Sequence, residues 1–216
     1  MKKFIQLGML TALACVSAQA TTVTWNSTVS STSSISATSG SDSVAATGYV
    51  LFAGNYTLMS VQSNGSGVGV DSTAAGALTS GQVATTTDGQ YAEYLVLNFG
   101  GTVNGQAIVD SIVMNFTGTA NTPYFRYAWS SVAPTSQISD GSFTTVSSMT
   151  GSGPYTASSL SGSGRYLVIN PLTSGGANSF QVASVTYTSV PDGASTLALM
   201  GAALATLGFA ARRRKA

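Results

Sequence analysis

An all-β fold is predicted for the central part of this 216-residue chain, specifically a single β-sandwich of jelly-roll type. Three observations predict it. Short runs rich in β-branched and aromatic residues recur along the chain. Clusters of Gly, Ser, Asn and Pro separate them, supplying the turns. Between residues 21 and 189 no segment carries the 3.6-residue apolar period of a surface helix. Eight or more short strands divided in this way suit two packed antiparallel layers.

The strands predicted from these runs are Thr22 to Trp25, Tyr49 to Phe52, Tyr91 to Phe99, Ile108 to Phe116, Tyr124 to Trp129, Phe143 to Ser147, Arg165 to Ile169 and Phe180 to Thr188. Alternation assigns their faces. Ile112, Met114 and Phe116 share one face of their strand, as do Phe125, Tyr127 and Trp129 of the next, and both triplets are core candidates. Asp88-Gly89 and Asp140-Gly141 read as turns, since Asp caps tight geometry and Gly supplies positive φ. The Ser/Thr-rich tract 27–43, with isolated Val29 and Ile35, is too poor in apolar residues for a central strand and is expected as a flexible arm or a weak edge strand.

The two ends are of another kind. Lys2 and Lys3 precede an apolar run from Phe4 to about Val16 and the sequence Ala18-Gln19-Ala20, the order of a secretory signal peptide over residues 1–20. Small side chains at Ala18 and Ala20 fit the signal peptidase pockets, so Thr21 becomes the first mature residue. A lipoprotein signal using Cys15 is the rival, but Ala12-Leu13-Ala14 lacks the leucine expected three residues before a lipidated cysteine. At the other end, the segment 190–216 opens on Val190-Pro191-Asp192-Gly193-Ala194. The uncharged stretch 195–211 follows, about 25 Å long as a helix and sufficient to cross a bilayer. Arg212, Arg213, Arg214 and Lys215 close it and belong on the cytoplasmic side by the positive-inside rule. The two ends agree in leaving the domain 21–189 outside.

Without its ends the body is of ordinary single-domain size. It holds Arg126 and Arg165 against Asp42, Asp71, Asp88, Glu93, Asp110 and Asp140, a formal net charge of −4, while the +1 of the whole chain comes from the ends. With no lysine and two separated arginines it lacks the cationic surface that phosphate backbones require, so no nucleic acid partner is expected. It has no histidine and no cysteine. A Ser-His or Cys-His couple is therefore impossible, zinc would need carboxylates alone, and no disulfide can form. No enzymatic activity, cofactor or metal is expected. A two-carboxylate glycosidase would have to use Glu93, the single glutamate, with an aspartate.

One segment has the composition of a binding site. In Tyr124-Phe125-Arg126-Tyr127-Ala128-Trp129, Arg126 projects opposite the aromatic core face, beside Tyr124. An exposed arginine next to an aromatic ring can present a planar fork of donors to sugar hydroxyls or uronate carboxylates while the ring stacks on a pyranose. The competing expectation is that Arg126 pairs with one of the six acids and Tyr124 covers the sandwich.

The tail from Val190 to Lys215 resembles the PEP-CTERM class of bacterial sorting signals, in the variant whose motif begins Val-Pro-Asp. Pro191 is kept, Asp192 stands where the commonest form has glutamate, and the second proline is absent. The resemblance implies a Gram-negative-type host, export by the general secretion route, transient retention in the inner membrane, processing by an exosortase-type enzyme, and delivery to the cell surface or a polysaccharide-rich extracellular matrix. Members share the tail while their bodies differ, so it is silent on the body's activity. The part from Tyr124 through Gly164-Arg165-Tyr166-Leu167-Val168-Ile169 to the strand Phe180 to Thr188 is similar to the C-terminal half of galactose-binding-like β-sandwiches. That similarity implies carbohydrate binding. A structural or adhesive role in an exopolysaccharide or biofilm matrix is the expectation, with a carbohydrate-binding module as the alternative and a glycan-acting enzyme behind it.

Overall fold

The computed structural model describes residues 19–52, 55–71, 83, 92–102, 105–116, 124–135, 137–147, 149, 153–171, 179–190 and 201. The described body is all-β. Its strands are β1 (Ala20–Thr24), β2 (Thr28–Thr32), β3 (Ile35–Ser39), β4 (Asp42–Phe52), β5 (Asn55–Asn64), β6 (Val68–Asp71), β7 (Ala92–Gly101), β8 (Ala107–Phe116), β9 (Phe125–Ser130), β10 (Thr144–Val146), β11 (Tyr155–Ser158), β12 (Tyr166–Asn170) and β13 (Phe180–Ser189). One 3-10 turn, Asp140–Ser142, occupies the predicted Asp140-Gly141 turn. The signal peptide up to Ala18, the Asp88-Gly89 turn, Pro191 to Ala194, most of 195–211 and Arg212 to Lys215 lie outside the described residues. Among those described, no helix is long and apolar enough to cross a membrane.

All 13 strands belong to one sheet in the order β10-β9-β12-β7-β4-β5-β6-β13-β8-β11, with β1 on β13, β2 on β5 and β3 on β4. The sheet is nearly closed on itself, and β5 is its corner. Residues Asn55 to Met59 pair with β4 of the front half (β10-β9-β12-β7-β4), whereas Ser60 to Ser63 pair with β6 of the back half (β6-β13-β8-β11), so one strand passes from the front half to the back half. An isolated bridge between Ala107 and Gly164 ties the halves together again.

Both halves line one interior. Leu95, Leu97, Phe125, Leu167 and Ile169 of the front pack with Val61, Val109, Ile112, Met114, Phe180 and Val185 of the back. Strict alternation would place residues an even number apart on one face, yet Val182 and Val185 are both fully buried, as are Val109 and Ile112. Register shifts between Val182 and Ser184 and between Thr186 and Tyr187 reconcile this: an extra residue on each strand resets which side chains face inward. Aromatic contacts join the halves at both ends of β13, Phe125 to Phe180 at 6.3 Å and Phe99 to Tyr187 at 5.1 Å. Tyr187 also donates its hydroxyl to Asp42 Oδ2 at 3.2 Å, and burial followed by that carboxylate pushes the phenol well above its ordinary range.

The two core triplets point inward as alternation requires. Ile112, Met114, Phe125 and Tyr127 are buried, and Phe116 and Trp129 pack against the same cluster from its rim. Three strands, β5, β6 and β11, lie outside every predicted run, and β2 and β3 lie in the tract expected as a flexible arm or a weak edge strand. In the tract 27–43 the chain makes two edge strands, with Ile35 and Ala37 of β3 buried against β4, so the edge alternative holds there. The predicted 49–52 strand is the end of a longer one beginning at Asp42, whose hydroxyl and small residues give no apolar signal. Tyr124 precedes its strand and Phe143 precedes β10.

Candidate functional site

Sheet faces that meet water are usually polar. The outer face of β9-β12-β7-β4-β5 is not. There a second apolar cluster of Ala92, Tyr94, Val96 and Val168 is flanked by partly exposed Tyr49, Leu51, Tyr56, Ile138, Phe143 and Tyr166. Alternation and register produce it. Tyr166, Val168 and Asn170 point away from buried Leu167 and Ile169, and the pairs Tyr49 with Tyr94 and Tyr49 with Leu58 continue the row across β7, β4 and β5. Leu58 is the most exposed member, at 55%.

Arg126 closes one end of this face. Its Nε donates to Asn170 Oδ1 at 2.7 Å and its Nη1 to Asp140 Oδ1 at 2.7 Å, with the side chain only 13% exposed. Asn170 is itself held by its Nδ2 donating to the Glu93 carbonyl at 2.9 Å. The guanidinium lies 4.6 Å from the centre of the Phe143 ring, an aromatic neighbour the sequence did not single out. Phe143, Tyr94, Tyr56 and Tyr49 continue as a chain of ring contacts at 6.1, 5.0 and 5.9 Å. The expectation that Arg126 pairs with an acid is therefore what the geometry presents. Glu93 is fully buried on the interior side of β7, out of reach of a polysaccharide, and it has a partner of its own.

Arg165 stands at the other end and is different in kind. It is exposed, and no acid pairs with it among the described residues. Its guanidinium is 5.5 Å from the Tyr166 ring centre and crosses β7 over Gly100, where a Cβ would lie 2.6 Å from Nη2. Gly100 makes room for it. Asn98 flanks the same spot, fixed by Oδ1 accepting the Gly100 N–H at 2.8 Å. Sequence reasoning missed Arg165, Tyr166, Tyr49 and Phe143 as one surface, because only strand order brings β12, β7 and β4 together. A separate open groove of about 540 Å³ lies between Ile108 to Asp110 and Ser159 to Ser163 on the back half.

Burial, ahead of all else, raises the phenols of Tyr49, Tyr56 and Tyr94, that of Tyr56 to about 12. The native state then keeps protons that the unfolded chain, titrating near 10, releases. Stability should be complete below pH of about 10 and decline as pH rises toward about 12. Melting curves at increasing alkaline pH check this. Tyr56→Phe should flatten the decline, and an equally steep decline in that variant would exclude Tyr56 as a source.

Compared with known proteins, the chain matches no family model, no curated protein and no solved structure.

Proposed function

We propose that this is an exported, non-enzymatic surface or extracellular-matrix protein, held transiently in the inner membrane of a Gram-negative-type bacterium and released by an exosortase-type enzyme. Its body is a structural or adhesive β-sandwich of jelly-roll type in an exopolysaccharide setting. The observation that supports this most is the pairing of β1 with β13, in which Ala20 stands opposite Thr188 and Thr21 opposite Tyr187. Opposed residues of an antiparallel ladder are about 5 Å apart. The signal peptidase site at Ala18 and Ala20 and the motif beginning at Val190 thus leave the body side by side, at one pole. A domain lying outside while Lys2, Lys3 and Arg212 to Lys215 stay inside needs both membrane segments to enter from that pole. The first described strand begins at Ala20, beside the signal peptidase cleavage point, and the last ends at Ser189, just before the motif at Val190. A hydroxyl-rich surface of low charge suits a hydrated polysaccharide, where hydrogen bonds and stacking replace ion pairing.

A carbohydrate-binding module is the second reading, favoured by the outer aromatic face. The intact mass and cell fraction of the protein from its native host test the first. The expected species begins at Thr21, ends near Asp192 and lies outside the inner membrane. A species retaining Arg212 to Lys215 in the inner membrane overturns delivery, and the tail is then a plain anchor.

A further inference from the structure

The outer face carries a combination found nowhere else among the described residues: an exposed cation without an acidic partner, set beside aromatic rings on a flat apolar surface. Arg165 is pre-positioned. Contact with the Tyr166 ring and the packing of its Nε and Nη2 side over Gly100 restrict its guanidinium, while the residue stays exposed. Asn98 presents an amide whose Nδ2 has no acceptor among the described residues. From Tyr166, opposite Asn98, the apolar patch runs obliquely through the pair Val168 and Val96 to Tyr49, which stands opposite both Tyr94 and Leu58. β12, β7 and β4 are all paired on both sides, so no open edge is available there for strand addition by a peptide.

We infer that this end of the face binds a carboxylate-bearing pyranose, a uronic acid unit of an acidic polysaccharide, with the carboxylate on Arg165 and the chain lying over Tyr166 and Tyr49. A body of net charge −4 repels anions at long range, so an anionic ligand must be recognised by a short-range bidentate contact, which a guanidinium fork supplies and an ammonium does not. The C–H faces of pyranoses cover the rings, while the phenol hydroxyls and Asn98 reach sugar hydroxyls. The inference deepens the matrix reading by naming the polysaccharide class, and rests on it only for where such a ligand is met.

Calorimetric titration of the full-length chain in detergent tests it, with oligogalacturonate as the acidic probe and maltohexaose as the neutral one. The expected result is binding of oligogalacturonate at least about tenfold tighter than maltohexaose, and loss of that preference in Arg165→Gln. Arg165→Lys should recover only part of it, because the charge returns without the fork. Tyr49→Ala should weaken both probes. Equal affinity for the two probes, no binding of oligogalacturonate, or unchanged affinity in Arg165→Gln overturns the inference. So does a dimer that Tyr49→Ala dissociates, since the face is then a contact between copies. Unchanged melting temperatures show that a lost affinity is not lost folding. The titration does not depend on processing, so its failure is distinct from a failure of delivery in the host.

Discussion

Phe180→Ala should cost about 4 kcal/mol, within the range for an aromatic deleted from a packed core. Phe180 is fully buried, and its ring lies 5.4 Å from Phe116 of its own half and 6.3 Å from Phe125 of the other. The substitution therefore removes transfer energy and also leaves a void where the two halves meet. Rearrangement cannot close it easily, because β13 is pinned by β8 on one side and by β6 and β1 on the other. Urea unfolding measures the loss. Phe143→Ala on the outer face provides the contrast, since Phe143 is partly exposed and should cost no more than about 2 kcal/mol. Equal costs would mean that Phe180 does not join the halves.

Gly67→Ala should cost about 3 kcal/mol, from backbone strain and overpacking together. Gly67 has φ of +148°, and a Cβ there would lie 2.7 Å from the Val182 carbonyl oxygen and 2.8 Å from its carbon. Those atoms are backbone at the junction where Val68 of β6 pairs with β13, so neither can swing aside as a side chain would. Gly40, with φ of +61° and nothing within 4 Å of its Cβ position, isolates the conformational part. Gly40→Ala should cost about 1 kcal/mol. If the two variants melt together, the contact with β13 carries no weight.

Much of the framework was legible in the sequence because it depends on local alternation. β1, β7, β8, β9, β12 and β13 carry enough β-branched and aromatic residues to announce themselves, and the inward triplets around Met114 and Tyr127 follow from a period of two. The strands outside those runs lack such a signal. β2 reads Thr-Val-Ser-Ser-Thr and β11 reads Tyr-Thr-Ala-Ser, and each is extended because a neighbour's backbone offers it a ladder. The bulges of β8 and β13 were equally silent, since they appear only when two strands are laid side by side.

The candidate site divides in the same way. Arg126 was found from its position opposite an aromatic face, and its pairing with an acid was anticipated. That the acid is Asp140, that the ring is Phe143, and that Arg165 rather than Arg126 keeps its charge for the solvent are matters of which strands become neighbours.

What the sequence determined by itself is the all-β class, the absence of His and Cys chemistry from the body, and the expectation of a membrane-directed segment at each end. These follow from composition, period and order along the chain, which need no partner. What the tertiary structure alone decided is that β5 turns the sheet from one half to the other, that Ala20 meets Thr188, and that Tyr49, Tyr166 and Arg165 form one surface. The physical reason is that hydrogen-bonded neighbours in a sheet are chosen by burial summed over the whole interior, and residues more than a hundred positions apart carry no local mark of that choice.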